Sequence, residues 1–346
     1  MPNLDKHAFF HIARTSLSWS FSKPEAWWRY IIMLLVVVLL GIFTIGSILS
    51  LAIMFIFADD WQEALKALAQ AQSSGIDMEN MGMAPGASLG VVVASFAAGL
   101  AALLLFVKPL HGRPFQSIIT GAKRIRWKRI GIGFGLWLGI SIVLEIVNYS
   151  LAPADYTLVF DGAKFWPALI AAIILLPLQT SFEEIGIRGY MMQALGVWWR
   201  SPFLALLVSS LFFGLLHFAN PEVASYGPSI MIYYIGTGVF LGLITLMDEG
   251  LELALGVHFA NNLYAASGVS YPDSVFVYPS VMQMNEMDME GSLVTWFIMA
   301  SVMTLAFAFI FKWKNWEKIF GTITMPSFPT MPEHIAKKLE SIGEEA

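Results

Sequence analysis

The stretch WPALIAAIILLPLQTSFEEIGIRGY, residues 166–190, begins with an apolar run and ends with two adjacent glutamates and an arginine. A transmembrane helix needs roughly 20 mostly apolar residues, and this stretch is long enough to cross a bilayer. Ionisable side chains at membrane depth cost about 2.5 to 3.5 kcal/mol each on insertion scales and mark a functional site by default. We therefore expect this stretch both to lie in a membrane and to carry chemistry.

The composition of the whole chain predicts a multi-pass integral membrane protein. Of the 346 residues, 57% are apolar and 13% are charged, which is not the balance of a soluble domain. The formal net charge of −5 provides no basic field for nucleic acid, so we expect no nucleic-acid partner. The chain contains no cysteine, which excludes disulfides, thiolate metal sites and a cysteine nucleophile.

Eight apolar segments predict an all-α membrane bundle of about eight transmembrane helices. Their approximate bounds are 30–57, 87–107, 130–151, 166–190, 203–218, 229–247, 251–268 and 292–311. The first segment is too long for a signal peptide, whose apolar core is roughly 7 to 15 residues, so we expect a retained helix. We divide the chain into an interfacial segment at 1–29, a membrane domain at 30–311 and a cytoplasmic tail at 312–346.

The distribution of lysine and arginine predicts the orientation, because cytoplasmic loops are enriched in these residues. The loop at 108–129 contains no acid and seven basic residues: Lys108, Arg113, Lys123, Arg124, Arg126, Lys128 and Arg129. The loops at 58–86 and 269–291 are acidic and share a single lysine, Lys66. We therefore expect the basic loop and both termini to lie in the cytoplasm, and the two acidic loops to lie outside.

The first polar motif contains two carboxylates with different surroundings. Glu183 and Glu184 point about 100° apart on a helix, so they cannot share one task. Glu184 and Arg188 are four residues apart and can form an ion pair, which leaves Glu183 as a separate carboxylate. Gly186 and Gly189 keep the same helix thin, which allows another helix or a substrate backbone to approach closely.

Two later spans carry histidines. In FFGLLHF, residues 212–218, His217 follows Phe213 by one turn. Glu183 and His217 each lie 17 residues from Arg200, so in a hairpin around Arg200 they would lie at similar depth and could share a water molecule. A lone histidine in an apolar helix is more often a core residue with its hydrogen bonds satisfied, and the same applies to an isolated histidine–asparagine pair.

In LALGVHFANN, residues 253–262, His258 and Asn262 are four residues apart and share one helix face. A bundle with so few polar interior groups has little reason to carry three unrelated ones. The three motifs together therefore favour one shared polar site over three separate structural hydrogen bonds.

Three other polar residues receive structural interpretations. Glu145 lies in a span beside Asn148 and is expected to make a buried structural hydrogen bond. Glu252 lies near the end of a predicted span and is expected to be an interfacial carboxylate. Asn220 is an additional candidate for the site, next to Pro221, which is expected to end the helix.

In this order the three motifs resemble those of the CPBP family of intramembrane proteases, which includes CAAX-type prenyl proteases and bacteriocin-processing proteins. The motifs are EExxxR (Glu183, Glu184, Arg188), FxxxH (Phe213, His217) and HxxxN (His258, Asn262), within about residues 110–268. The resemblance implies an eight-helix intramembrane endopeptidase in the cell membrane, with no cofactor. It also implies a cavity that opens to the cytoplasm and admits a peptide or membrane-associated substrate from that side.

The resemblance further implies a role for each motif. Glu183 is the base that activates a water molecule for attack on a peptide carbonyl, and His217 orients that water and relays the proton. His258 and Asn262 donate hydrogen bonds to the oxyanion. Arg188 holds the second glutamate of its motif or the carboxylate terminus of the substrate.

A zinc enzyme would use the same residues. Glu183, His217 and His258 on separate helices form a possible zinc set, with Asn262 or Glu184 orienting the ligands. The sequence lacks HExxH, in which two ligands and a base come from one helix face. We therefore favour metal-free catalysis and keep zinc as the alternative.

A non-enzymatic protein is the other alternative. The buried carboxylate and histidines could form a proton relay in a transporter or belong to a binding scaffold. An intact glutamate, two histidines and an asparagine favour an enzyme, because a scaffold would not need all four.

The two acidic outer loops contain the methionine-rich stretches IDMENMGM and VMQMNEMDME. Thioethers select Cu(I), whereas methionine is also an ordinary apolar filler. The second explanation is the simpler one for these loops.

Overall fold

The computed structural model describes residues 27–74, 76–77, 81–112, 114–271, 274, 276–314 and 316–323. Most of the predicted interfacial segment at 1–29 and most of the predicted tail at 312–346 lie outside these ranges. Within them the fold is a helical bundle with a few short strands, so the all-α prediction is confirmed.

Ten helices make up most of the described chain. In chain order they are α1 (Trp27–Phe57), α2 (Trp61–Ser74), α3 (Pro85–His111), α4 (Trp127–Leu151), α5 (Gly162–Trp199), α6 (Pro202–Leu216), α7 (Pro221–Tyr226), α8 (Ile230–Asp248), α9 (Glu252–Ser267) and α10 (Met289–Phe311). Single turns of 3₁₀-helix occur at Phe115–Ile118, Pro153–Asp155 and Trp316–Ile319.

Six helices of the described chain, α1, α3, α4, α5, α8 and α10, are long and apolar enough to cross a membrane. All eight predicted spans coincide with helices, but α6 and α9 have only 15 and 16 residues. These two are shorter than the roughly 20 residues that a full crossing needs. The protein is thus a multi-pass membrane protein with six candidate spans, and the count of eight and the cytoplasmic termini stay predictions.

Helix α5 changes its winding at the EExxxR motif. It is α-helical over Gly162–Glu183, π-helical over Glu184–Met191 and α-helical again over Met192–Trp199. Wider turns of this kind are rare in helices and occur frequently at functional sites; α1 is also π-helical, over Val36–Gly46, where none of the three motifs lies. The change falls between Glu183 and Glu184, so the two neighbouring carboxylates belong to different windings of the same helix.

Glycines bring α9, which carries the HxxxN motif, into backbone contact with α4. A Cβ atom added at Gly133 of α4 would lie 2.6 Å from the carbonyl oxygen of Leu253 in α9, and Gly256 of α9 meets the carbonyl of Ile130 in α4. Small residues allow such close helix crossings in a membrane. This packing holds α9, with His258, against α4.

Short strands join the loops at one end of the bundle. They are β1 (Ile76–Asp77), β2 (Tyr156–Leu158), β3 (Val269–Ser270), β4 (Phe276–Val277) and β5 (Met282–Met284). β1 pairs in parallel with β4, and a three-stranded sheet has the order β2-β5-β3. Strands β1, β3, β4 and β5 belong to the loops at 58–86 and 269–291, and the side of the membrane on which these loops lie stays a prediction.

Methionines of the loop at 58–86 pack into the core. Met81 and Met83 are 2% and 9% exposed and belong to a buried apolar cluster with Leu89 and Tyr278. A buried thioether fills apolar space. The location of Met81 and Met83 therefore suits apolar filling, the simpler of the two explanations, and not an external Cu(I) contact.

An ion-pair cluster lies at the other end of the bundle, where α8 leads into α9. Arg126 Nη2 lies 2.5 Å from Glu252 Oε2 and 3.1 Å from Asp248 Oδ2, and Arg129 also pairs with Asp248. Burial alone would lower the pKa of Arg126, but its hydrogen bond to Glu252 and the charge of Asp248 raise that pKa above its ordinary value. Glu252 lies at a helix end, as predicted, and is 0% exposed because it pairs with Arg126; its location at the membrane interface stays a prediction.

Candidate active site

The predicted ion pair of the first motif is present and fully buried. Arg188 Nη1 lies 2.9 Å from Glu184 Oε1, and both side chains are 0% exposed. The guanidinium carbon of Arg188 lies 4.0 Å from the ring centroid of Phe213. Among the described residues, Nε and Nη2 of Arg188 have no hydrogen-bond partner, so this ring provides the cation with a favourable contact on one face.

His258 lies between the two glutamates. Its Nδ1 is 2.7 Å from Glu184 Oε1, and its Nε2 is 3.5 Å from Glu183 Oε2. A carboxylate accepts hydrogen bonds, so Nδ1 carries the hydrogen and donates it to Glu184. Nε2 then faces Glu183 at a distance that is too long for a strong hydrogen bond but short enough for strong electrostatic coupling.

Gln179 connects Glu183 to Asn262. Gln179 Nε2 donates to Glu183 Oε1 at 2.6 Å, and Asn262 Nδ2 donates to Gln179 Oε1 at 2.9 Å. Sequence analysis did not single out Gln179. Its position four residues before Glu183, on the same helix face, is the signal that could have found it. The structure thus brings the EExxxR and HxxxN motifs into one hydrogen-bonded group.

His217 lies at the end of α6, where it caps the helix. Its Nδ1 is 2.8 Å from the carbonyl oxygen of Phe213, and its ring stacks on Tyr234 with centroids 4.4 Å apart. Within the described part of the chain, no hydrogen bond joins His217 to Glu183. The ring of Phe213 contacts His217 and His258, with centroid distances of 4.7 and 6.1 Å. Phe213 is thus the residue that connects His217 to His258 by ring contacts. The water molecule that His217 would share with Glu183 stays a prediction.

The segment after His217 forms a second polar cluster. Helix α6 ends at Leu216, four residues before Asn220, and Pro221 begins α7. Asn220 Nδ2 donates to the hydroxyl of Tyr234 at 3.1 Å. Glu222 is 1% exposed and accepts from the hydroxyl of Tyr271 at 3.3 Å. Sequence analysis missed Glu222, because nothing in its local sequence distinguishes it from a surface carboxylate.

Glu145 makes the expected structural hydrogen bonds. The hydroxyls of Tyr156 and Tyr264 donate to its two oxygens at 2.5 and 2.6 Å. Burial and the neighbouring carboxylate raise the pKa of the Tyr156 phenol, so this hydroxyl keeps its proton. The partners are tyrosines rather than the nearby Asn148.

The zinc set of Glu183, His217 and His258 is not assembled as a coordination site. Across the described ranges, no group of three or more His, Asp or Glu side chains is placed to hold a metal ion. Nδ1 of His258 is taken by Glu184 and Nδ1 of His217 by a backbone carbonyl.

Comparison with known proteins agrees with the motifs. Residues 163–264 match the model of the family described as type II CAAX prenyl endopeptidase Rce1-like. The uncharacterised protein YyaK of Bacillus subtilis (strain 168) is 35% identical over 174 residues, which cover 50% of this chain and 58% of that protein. No solved structure matches. Residues 163–264, which contain all three motifs, therefore form a domain of the Rce1-like type II CAAX prenyl endopeptidase (CPBP) family within an integral membrane protein.

Proposed function

We propose that this protein is an intramembrane endopeptidase in which Glu183 activates a water molecule for attack on a peptide carbonyl. The observation that carries the proposal is the division of labour between neighbouring carboxylates. Glu184 is committed to Arg188 and His258. Glu183 is bound by the neutral amide of Gln179 and keeps its second oxygen on the side of His258.

In the proposed reaction Glu183 accepts one proton from water and later donates it to the leaving amine. Glu183 takes a proton from water while the water oxygen forms a bond to the carbonyl carbon. As the C–N bond breaks, the same proton passes to the leaving amine, so the products are a carboxylic acid and an amine. General-base catalysis of this kind contributes about 10²- to 10⁴-fold.

Other residues would act on the oxyanion and on the water. Asn262 lies beside Glu183 through Gln179 and carries a second amide hydrogen, which suits donation to the developing oxyanion. His258 uses Nδ1 for Glu184, so its donor to the oxyanion is Nε2–H of the protonated ring, which lies between the two carboxylates. A neutral His217 whose Nδ1 donates to the Phe213 carbonyl presents Nε2 as an acceptor. This arrangement suits orienting a water molecule.

The proposed substrate is a prenylated CAAX peptide or protein that enters from the cytoplasmic side of the cell membrane. Support comes from the name of the matched family and from the basic loop at 108–129. On this proposal both termini are cytoplasmic, and the short helices α6 and α9 complete a bundle of eight.

The direct test is cleavage of a farnesylated peptide ending in a CAAX sequence by the purified protein in detergent. Mass spectrometry should detect release of the three C-terminal residues. Glu183→Gln should reduce the rate by at least about 10²-fold, and Glu290→Gln, an exposed glutamate of α10, should not. Equal rates for Glu183→Gln and the wild type would refute the proposed base.

The metal alternative has its own measurement. A metal-free enzyme keeps its activity after dialysis against a strong chelator, and elemental analysis finds well below one zinc per chain. Stoichiometric zinc, with activity lost on chelation and restored by zinc, would support the metalloprotease instead.

The non-enzymatic alternative, a transporter or a binding scaffold, is tested by comparing cellular peptides without choosing a substrate in advance. Peptides from membranes of cells with the wild type and with Glu183→Gln should differ in cleaved ends if the protein is a protease. Identical peptide sets, together with no cleavage of the farnesylated peptide, would favour a non-enzymatic role.

A further inference from the structure

We propose that Gln179 is a positioning residue that fixes both the proposed base, Glu183, and the proposed oxyanion donor, Asn262. The proposal rests on the proposed peptidase function. Gln179 belongs to none of the three motifs, is 6% exposed, and forms the only side-chain link between Glu183 and Asn262 that the described residues contain.

The direction of each hydrogen bond follows from chemistry. An ionised carboxylate can only accept, so the partner of Glu183 at 2.6 Å must be the NH₂ group of Gln179. The carboxamide oxygen of Gln179 then faces the other way and must accept from Asn262, as it does at 2.9 Å. The charge of Glu183 therefore dictates which end of the Gln179 amide points at Asn262.

The same constraint passes to Asn262. Its oxygen accepts from Asn261 Nδ2 at 3.2 Å, and Asn261 Nδ2 also lies 3.4 Å from the hydroxyl of Tyr233. One hydrogen of Asn262 Nδ2 is used by Gln179, so the second hydrogen is left to point into the site. An amide flipped by 180° would present an acceptor to the oxyanion, which would be repulsive. Gln179 thus selects the orientation in which Asn262 is a donor.

Gln179 also orients Glu183. Holding Oε1 at 2.6 Å on one side leaves Oε2 on the side of His258. A carboxylate without this restraint would sample other rotamers, and misplacement of a reacting group by about 1 Å can cost about 10²-fold in rate. The residue acts through its neighbours and needs no contact with substrate.

The experiment compares Gln179→Met, which keeps the length of the side chain but removes both hydrogen bonds, with Thr180→Val. Thr180 is 1% exposed, and within the described part of the chain its hydroxyl donates to the carbonyl of Leu176 in its own helix. We expect Gln179→Met to lower kcat about 10- to 100-fold on the farnesylated peptide, with KM changed by less than about threefold. Thr180→Val should match the wild type.

A double-mutant cycle separates positioning from general damage. If Gln179 acts partly through Asn262, the loss in Gln179→Met with Asn262→Leu should be smaller than the product of the two single losses by at least about threefold. Multiplicative losses, or a Gln179→Met variant with wild-type kcat, would overturn the proposal.

A second readout does not depend on activity. In ¹H–¹⁵N spectra of protein labelled at Asn and Gln side chains, the NH₂ signals assigned through Asn262→Leu should shift in Gln179→Met and stay in place in Thr180→Val. Unchanged Asn262 signals would overturn the proposal. A wild type that cleaves nothing but shows the coupled signals would refute the peptidase function and leave the hydrogen-bonded chain standing.

Discussion

Replacing Glu184 by glutamine should destabilise the protein more than replacing Glu183. Glu184 and Arg188 are both 0% exposed and lie 2.9 Å apart, and removing one partner of a buried pair typically costs about 3 to 5 kcal/mol. Glutamine keeps an oxygen for Nδ1 of His258, so that hydrogen bond can survive. The contact of Arg188 with Phe213 is worth about 2 kcal/mol at most. It is present in both the wild type and Glu184→Gln, so it does not reduce the loss of stability caused by the substitution.

Glu183→Gln is the matched control. The side chain of Glu183 is 12% exposed, and its neutral partner Gln179 leaves no buried cation behind when the charge is removed. We expect a change in unfolding free energy within about 1 kcal/mol for this variant, as is usual where no buried network is broken.

The assay is thermal and denaturant unfolding of the purified variants in one detergent, followed by fluorescence and by the amount of folded protein on gel filtration. Glu184→Gln should show a clearly lower melting temperature and yield, and Glu184→Gln with Arg188→Gln should recover part of the loss, because the double variant leaves no unpaired charge. The buried pair would not stabilise the protein as expected if Glu184→Gln had the melting temperature of the wild type, or if the double variant were less stable than both single variants.

Three further outcomes follow from the geometry of the bundle. Gly189→Ala should fail to fold or lose yield, because the added Cβ would lie 2.5 Å from the backbone carbonyl oxygen of Ile118. Gly186→Ala is the control, because its Cβ meets nothing within 4 Å and the variant should fold normally. Equal yields of the two variants would contradict this expectation. Arg126→Gln should lower the melting temperature, because it leaves the fully buried Glu252 without its cation; an unchanged melting temperature would count against it. A cysteine at exposed Arg124, in a chain with no other cysteine, should react with an impermeant reagent only from the cytoplasmic side, and labelling of intact cells from outside would refute the orientation.

Local sequence patterns predict much of the fold. Long apolar runs located eight of the ten helices in the described chain, because the bilayer selects for length and apolarity; α2 and α7 were not predicted. The same patterns could not separate a full span from a short apolar helix such as α6 or α9, since neighbouring helices can bury the ends of a short one. The π-helical segment from Glu184 to Met191 was also not predictable, because no spacing of apolar or polar residues in it distinguishes π-helical from α-helical winding.

The candidate site was only partly accessible from the sequence. Spacing alone predicted the pair of Glu184 with Arg188, because residues four apart share a helix face. The contacts of His258 with both glutamates and the link from Gln179 to Asn262 depend on how α5 crosses α9, which no local pattern encodes. Depth counting placed His217 near Glu183, but the capped end of α6 directs Nδ1 of His217 to its own helix.

The central claim is that Glu183, and not Glu184, is the base. It is tested most directly by the single-turnover rate of hydrolysis of the farnesylated CAAX peptide, measured for Glu183→Gln and Glu184→Gln and divided by the folded fraction of each. We expect Glu183→Gln to be folded and slower by at least about 10²-fold, and folded Glu184→Gln to keep a rate within about tenfold of the wild type. A Glu183→Gln enzyme with near-normal rates beside a folded but inactive Glu184→Gln enzyme would contradict it.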